Sequence, residues 1–344
     1  MTTPTAKFLR ELPKVELHCH LEGSVPAATA IALAARNDVA LPTTDPHRLY
    51  EFSTLEGFLD IYVAVCQAMA RPDDFATVVY DSLADAARTS NLRYREFAFN
   101  PTNHPGVGLG DMLTAMTDAA QSAESEFGVQ TRLIVAINRE QPPLVALDLV
   151  RRVLDLQHPL IVGIGLDHNE LMGPPAAFTE AFALAGAADL HRTAHSGERG
   201  DPAEVRECIE RLAVDRIDHG YAVLTDPELV ADSIARGIHY AACWSTAGFH
   251  ADTPAHSPIG DMIEAGLNVS ISSDDPPMFG TDIGREYTLA GQELGWDLGT
   301  ARAFVLNSAE ATFLPHDERR GLADRLAIEI DAMTGDVTTA PSPR

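Results

Sequence analysis

One feature constrains the fold of this chain more than any other. Short runs rich in β-branched and apolar residues alternate with alanine-rich stretches of helical period, and the alternation repeats eight times. The strand candidates are VELHCH (15–20), LRYREFAF (92–99), TRLIVAIN (131–138), LIVGIGL (160–166), HRTAHS (191–196), DRIDHG (215–220), GIHYAAC (237–243) and LNVSISS (267–273). Between them lie helix candidates over Pro72–Ser90, Asp111–Phe127, Pro142–Gln157, Ala176–Ala188, Pro202–Leu212 and Pro227–Ala235, several opening with proline in the first turn. An eightfold strand–helix alternation predicts a closed parallel (β/α)8 TIM barrel, with an open doubly wound sheet as the structural runner-up. Material beyond the minimal repeat, roughly 26–88 after strand one and 285–331 after strand eight, predicts additional helices on the barrel. No low-complexity or Gly/Ser linker divides the sequence, so a single domain over 1–344 is expected, with about 1–10 and 333–344 loose.

Composition narrows the function. The chain of 344 residues carries 25 Lys+Arg against 50 Asp+Glu, a formal charge of −25. Such a surface repels phosphate backbones and anionic headgroups, which argues against a nucleic-acid polymer or a membrane as partner. The first fourteen residues hold no apolar h-region and no apolar run approaches membrane-spanning length. Four isolated cysteines, Cys19, Cys66, Cys208 and Cys243, make neither a CxxC pair nor a disulfide framework. A reducing, cytoplasmic setting is expected.

Among thirteen histidines, position selects the ones that matter. His18 and His20 are two residues apart at the end of strand one, so the strand period points both rings the same way. His195 ends strand five, His219 ends strand six, and Asp274–Asp275 follow strand eight. All lie at carboxyl ends of strands, the face where barrel active sites are built. Several neutral imidazoles converging with a carboxylate suit a divalent ion, zinc first among first-row metals, with a histidine cluster lacking metal as the alternative. Glu198, three residues after His195 in HSGE, stands where a general acid/base would; its plainer role is to cap the helix that follows Asp201–Pro202.

PKVELHCHLEG (13–23), TAHSGE (193–198), DRIDHGYAV (215–223) and SISSDDPPMFGTDIGREY (270–287) resemble, in order, the signature segments of the adenosine/adenine deaminase family of metal-dependent amidohydrolases. The resemblance implies a (β/α)8 barrel with one Zn2+ per chain, ligated by His18, His20, His195 and Asp274. It implies Glu198 as the residue that protonates purine N1 and His219 as the residue that orients and deprotonates the attacking water. Substrate contacts would come from Asp275 to N7, with Glu22 of HLEG, Gly165 of GLDHNE and His168. Binuclear relatives commonly bridge two metals with a carboxylated lysine at the end of strand four. The only lysines here are Lys7 and Lys14, which favours one metal. The cytidine-type zinc deaminases require PCxxC, which is absent.

These readings predict zinc-dependent hydrolytic deamination of a 6-aminopurine, namely adenine, adenosine or a related adenine-bearing small molecule. GLDxxE and RIDHG look closer to the adenine deaminase branch than LAGDE and RIGHG of adenosine-specific members. Cys243-Trp244-Ser245-Thr246-Ala247 replaces the family's CPxSN, leaving Trp244 to stack on substrate or fill core, with Phe249, His250 and His256-Ser257-Pro258 nearby. That loop motivates a second reading, deamination of another amino-substituted heterocycle such as a pterin or N6-substituted purine. A catalytically silent purine-binding scaffold is the third, disfavoured because every site position is intact. Nothing in the sequence reports the oligomeric state.

Overall fold

A computed structural model describes residues 3–199, 201–247 and 257–339. Eight parallel strands run in sequence order: β1 Lys14–His20, β2 Leu92–Phe99, β3 Gln130–Asn138, β4 Ile161–Asp167, β5 His191–Ser196, β6 Arg216–His219, β7 His239–Cys243 and β8 Asn268–Ser272. The β8–β1 seam is closed by a bridge between Cys19 and Asp274 and by Ser272 Oγ, which accepts from the backbone N–H of Leu17 and His18. The chain is a (β/α)8 barrel.

Around it lie α1 Ala6–Glu11, α2 Ala27–Arg36, α3 Leu55–Ala68, α4 Pro72–Ser90, α5 Leu109–Phe127, α6 Pro143–Leu156, α7 Thr179–Gly186, α8 Pro202–Glu207, α9 Pro227–Arg236, α10 Trp244–Ala247, α11 Pro258–Glu264, α12 Ile283–Glu293, α13 Leu298–Glu310 and α14 His316–Thr339. Local chemistry sets the ends. In α4, Pro72 occupies the first turn, Asp74 accepts from the Arg71 N–H at 2.8 Å, and Asn91 closes the helix in the left-handed conformation. The helix expected over 202–212 instead changes to a π turn at Cys208–Leu212. The segment expected over 176–188 begins as a 3-10 turn, Pro175–Phe178. Near the ends of the described residues, Ala6–Glu11 is helical with Leu9 buried, and α14 extends to Thr339.

The barrel interior is charged below the site. Strands β2 and β6 are not neighbours, so the 2.8 Å pair between Glu96 and Arg216 crosses the lumen. Tyr94 donates to Glu96, the Phe313 N–H also donates to it, and the Arg216 guanidinium lies 4.0 Å from the centre of the Phe313 ring. The turn after α13 thereby plugs the lower end. Among the described residues no helix is long and apolar enough to cross a membrane.

Candidate active site

The site lies at the carboxyl ends of the strands, where β1, β5, β6 and β8 deliver side chains to one cavity. A register shift between Glu16 and Cys19 marks a bulge in β1, the local device by which a strand re-aims a side chain. Beyond it, His18 Nε2 stands 3.1 Å from Asp274 Oδ1, and His20 Nε2 stands 3.0 Å from His195 Nε2. Ligand-type atoms of His18, His20, His195 and Asp274 all lie within 4.8 Å of one another, and all four residues are buried. Two imidazole nitrogens 3.0 Å apart repel unless a proton or cation sits between them, and three imidazoles with one carboxylate form a donor set suited to a first-row divalent ion. The residues therefore fit a metal.

Strand ends share a further device. Alternation should place consecutive residues on opposite faces of a strand, yet Asp167 and His168, and Asp274 and Asp275, line the same cavity. Similarly, Asp218 lies 3.3 Å from His18 Nδ1 while the next residue, His219, lines the cavity. At each break one residue has a left-handed backbone: φ is +72° at His168, +69° at His219 and +65° at Asp274. Such conformations cost non-glycine residues about 1–3 kcal/mol each and concentrate at functional sites.

Glu198 reaches the cavity from the turn after β5. Gly197, at φ +71°, must lack a side chain, because a Cβ there would stand 2.5 Å from Val205 and 3.1 Å from Ala222. The carboxylate of Glu170 accepts from the backbone N–H of Glu198 and Arg199 at 3.1 and 3.3 Å, fixing the loop. Burial, reinforced by Asp274 and Glu170, pushes the Glu198 carboxyl well above its usual range. Burial likewise raises Asp275, with Asp274 beside it adding to the effect. His219 is pushed down to about 3 by burial and so is neutral at pH 7.

The cavity encloses about 520 Å3. Phe58, Leu59, Tyr62 and Val63 of α3 form an apolar wall with Phe279, which explains why Leu59 and Val63 are left half exposed. A second part of the lining is polar, comprising Asn103, Asn138, Glu140 and His168. His168 Nδ1 meets Asp167 at 2.8 Å and Nε2 faces Asn103 at 3.3 Å. His168 thus lines the cavity.

Two expected substrate residues do not reach the cavity. Glu22 is fully buried behind the wall, where Oε1 accepts from the Asn100 N–H at 2.9 Å and faces His104 Nε2 at 3.2 Å. Gly165 lies within β4, packed against Ile134 and Thr193. Trp244 is buried in the hydrophobic core and does not line the cavity; the turn it opens is tied to α12 by Ser245, whose N–H donates to Glu286 at 3.0 Å. Phe249, His250 and His256 lie outside the described residues, while Ser257 accepts from the Ile259 N–H to cap α11.

Asp167 and Asp218 escaped the sequence reading although both sit inside the recognised motifs. Asp167 approaches His20 Nδ1 at 3.8 Å and accepts from Asn100 Nδ2 at 2.8 Å. Period-two alternation that selects His219 excludes its neighbour Asp218, and the left-handed break that admits both is invisible in sequence.

A closed parallel barrel with three buried imidazoles, one carboxylate and an adjacent acid whose pKa burial raises defines a metal-dependent hydrolase of the amidohydrolase type. The family model for adenosine deaminase matches residues 13–329, and the chain belongs to that family. It is 36% identical over 334 residues to an adenine deaminase of Streptomyces coelicolor, covering 94% of this chain and 96% of the relative. An adenine deaminase of Rhodospirillum rubrum is 34% identical, with 93% and 97% covered. Among solved structures, an amidohydrolase from Burkholderia ambifaria with bound Zn superposes with a TM-score of 0.90 at 30% identity, covering 99% of this chain and 96% of that one. The adenine deaminase of Arthrobacter aurescens gives 0.85 at 31% identity, covering 93% and 99%.

Proposed function

We propose that the chain, acting as a single domain, hydrolyses the exocyclic amine of adenine to give hypoxanthine and ammonia. The carrying observation is the convergence of four ligand-type side chains from β1, β5 and the turn after β8, with Glu198 and His219 beside them. We assign one zinc ion to His18, His20, His195 and Asp274. A second grouping of His18, His219, Cys243 and Asp274 shares two members with the first and so describes the same centre. When bound, the ion would supply Lewis-acid activation of water near neutral pH.

The chain's own residues account for the remaining chemistry. We place the purine plane against the α3–Phe279 wall, with its polar edge toward Asn103, Asn138 and Glu140. Neutral His219 takes the proton of the attacking water as its oxygen bonds to C6. Glu198, whose carboxyl burial pushes up toward holding a proton, gives that proton to N1, so that C6 becomes tetrahedral without negative charge accumulating on the ring. Collapse breaks the C6–N bond: the amine leaves as ammonia with the proton held on His219, and the C6 hydroxyl gives its proton to the Glu198 carboxylate as the C6=O bond forms, restoring both groups. Asp275, which lines the cavity and whose carboxyl is raised by burial, is assigned the contact to N7.

Adenine as the preferred substrate is supported by the activities named for the relatives. A screen of ammonia release with metal-loaded protein tests it: adenine should give the highest kcat/KM among adenine, adenosine, deoxyadenosine and N6- or N9-substituted purines. No turnover of adenine would refute the reading, and preferred turnover of an N6-substituted purine would establish the alternative specificity.

A further inference from the structure

Beneath the candidate metal ligands lies a buried carboxylate that the deamination steps leave unused. Asp218 Oδ1 is 3.3 Å from His18 Nδ1, and its Oδ2 is 3.7 Å from His195 Nδ1. Oδ1 accepts no hydrogen bond from any other group, and the His18 ring faces it. Oδ2 accepts from Thr193 Oγ1 at 2.8 Å, on the neighbouring strand β5. Arg216 approaches Oδ1 at 3.7 Å from below and is itself paired with Glu96 at 2.8 Å and packed on Phe313.

We propose that Asp218 is the positioning residue of the metal centre, one carboxylate that sets the ring orientation and tautomer of two ligands together. The inference rests on the metal centre assigned above. An imidazole ligates through Nε2 only when its proton resides on Nδ1, and a buried Nδ1–H needs an acceptor. No bulk water reaches His18, which is almost wholly buried. Asp218 supplies that acceptor from a rigid strand, leaving His18 Nε2 facing Asp274 and His195 Nε2 facing His20. The carboxylate is in turn fixed by Thr193, while Arg216 and Glu96 carry the charge balance down the lumen. Asp167 stands in the corresponding place for the third imidazole, His20, at a longer 3.8 Å.

The test uses the full chain, stripped of metal and titrated with zinc against a chromophoric chelator, alongside thermal melting of the apoprotein. Asp218→Asn keeps the volume but offers one imidazole an N–H donor where it needs an acceptor. We expect zinc to bind about 10–100-fold more weakly, as outer-shell partners of metal-binding histidines typically contribute, while the apoprotein remains folded. Thr193→Val, which frees Oδ2, should shift zinc affinity in the same direction by a smaller factor. A merely structural residue would lower the melting temperature without weakening zinc binding by the folded variant. Zinc affinity within twofold of the parent in folded Asp218→Asn overturns the proposal. If Asp218→Asn does not fold, parental zinc affinity in Thr193→Val overturns it instead. A parent apoprotein that takes up no zinc refutes the metal centre itself, and this role with it.

Discussion

Gly23→Ala probes how closely the floor of the site is built. Gly23 sits in the turn after β1, and a Cβ placed there would stand 1.5 Å from Asp275 Oδ1, 2.4 Å from Cγ and 2.6 Å from Cβ. Turning the Asp275 side chain relieves the first two contacts but not the third, because the Cβ moves only with the backbone. Carbon atoms touch at about 3.5–4.0 Å, so one of the two segments must retreat by about 1 Å. Overpacking of this kind costs about 1–3 kcal/mol of stability. A 1 Å displacement of a group that positions substrate costs about 100-fold in rate, so kcat/KM for adenine should fall by about that factor. The assay pairs steady-state deamination with denaturant unfolding of metal-loaded protein, and adds Asp275→Gly alone and combined with Gly23→Ala. Because Asp275→Gly removes the colliding Cβ, the double variant should recover at least about 1 kcal/mol relative to the sum of the singles, while remaining poorly active. Additive stability losses, or a folded Gly23→Ala with parental kcat/KM, would refute the claim that Gly23 exists to seat Asp275.

Further perturbations separate chemistry from scaffold. Glu198→Gln should lower kcat by about 100- to 10,000-fold with zinc content unchanged; near-parental activity would show that another group supplies the proton. Since the Glu198 carboxyl is raised above its usual range and acts in its protonated form, kcat/KM should decline as pH rises through its pKa. If that alkaline limb persists unchanged in the residual activity of Glu198→Gln, Glu198 is not its source. No lysine or arginine lines the cavity among the described residues, which instead present Glu140, Asp167 and Glu198, so AMP should be turned over at least about 100-fold less efficiently than adenine. Comparable kcat/KM values for the two would contradict this electrostatic reading. Lys14 is wholly buried with its ammonium donating to the carbonyls of Arg10, Leu12 and Ser90 at 2.7, 2.7 and 3.0 Å. Lys14→Met should therefore destabilise the protein by about 2–4 kcal/mol in chemical denaturation without changing kcat; an unaltered unfolding midpoint would show that those carbonyls find other donors.

What the sequence determined by itself was whatever depends on local period and chemical type. Eight β-branched runs became eight strands, with the bounds of β2 and β5 as read, because strand and helix periods are written residue by residue. His18 and His20 were legible as a pair because the strand period carries both rings to one side, and Glu198 because a glycine turn after a histidine-ending strand leaves it at the catalytic face. Only the tertiary structure decided the rest. Glu22 reads as a contact residue by its place in the motif, yet the packing of Asn100 and His104 draws it behind the wall. Trp244 went to the core because the turn it opens is tied down by Glu286, forty-odd residues further along the chain. Asp218 emerged as a site residue only once His18 and His195 had been brought around it from other strands. Its neighbour His219 reaches the cavity through a left-handed backbone that no side-chain pattern announces. The physical reason is the same in each case: periodicity is a property of neighbouring residues, whereas convergence at a barrel mouth is imposed by strands far apart in sequence.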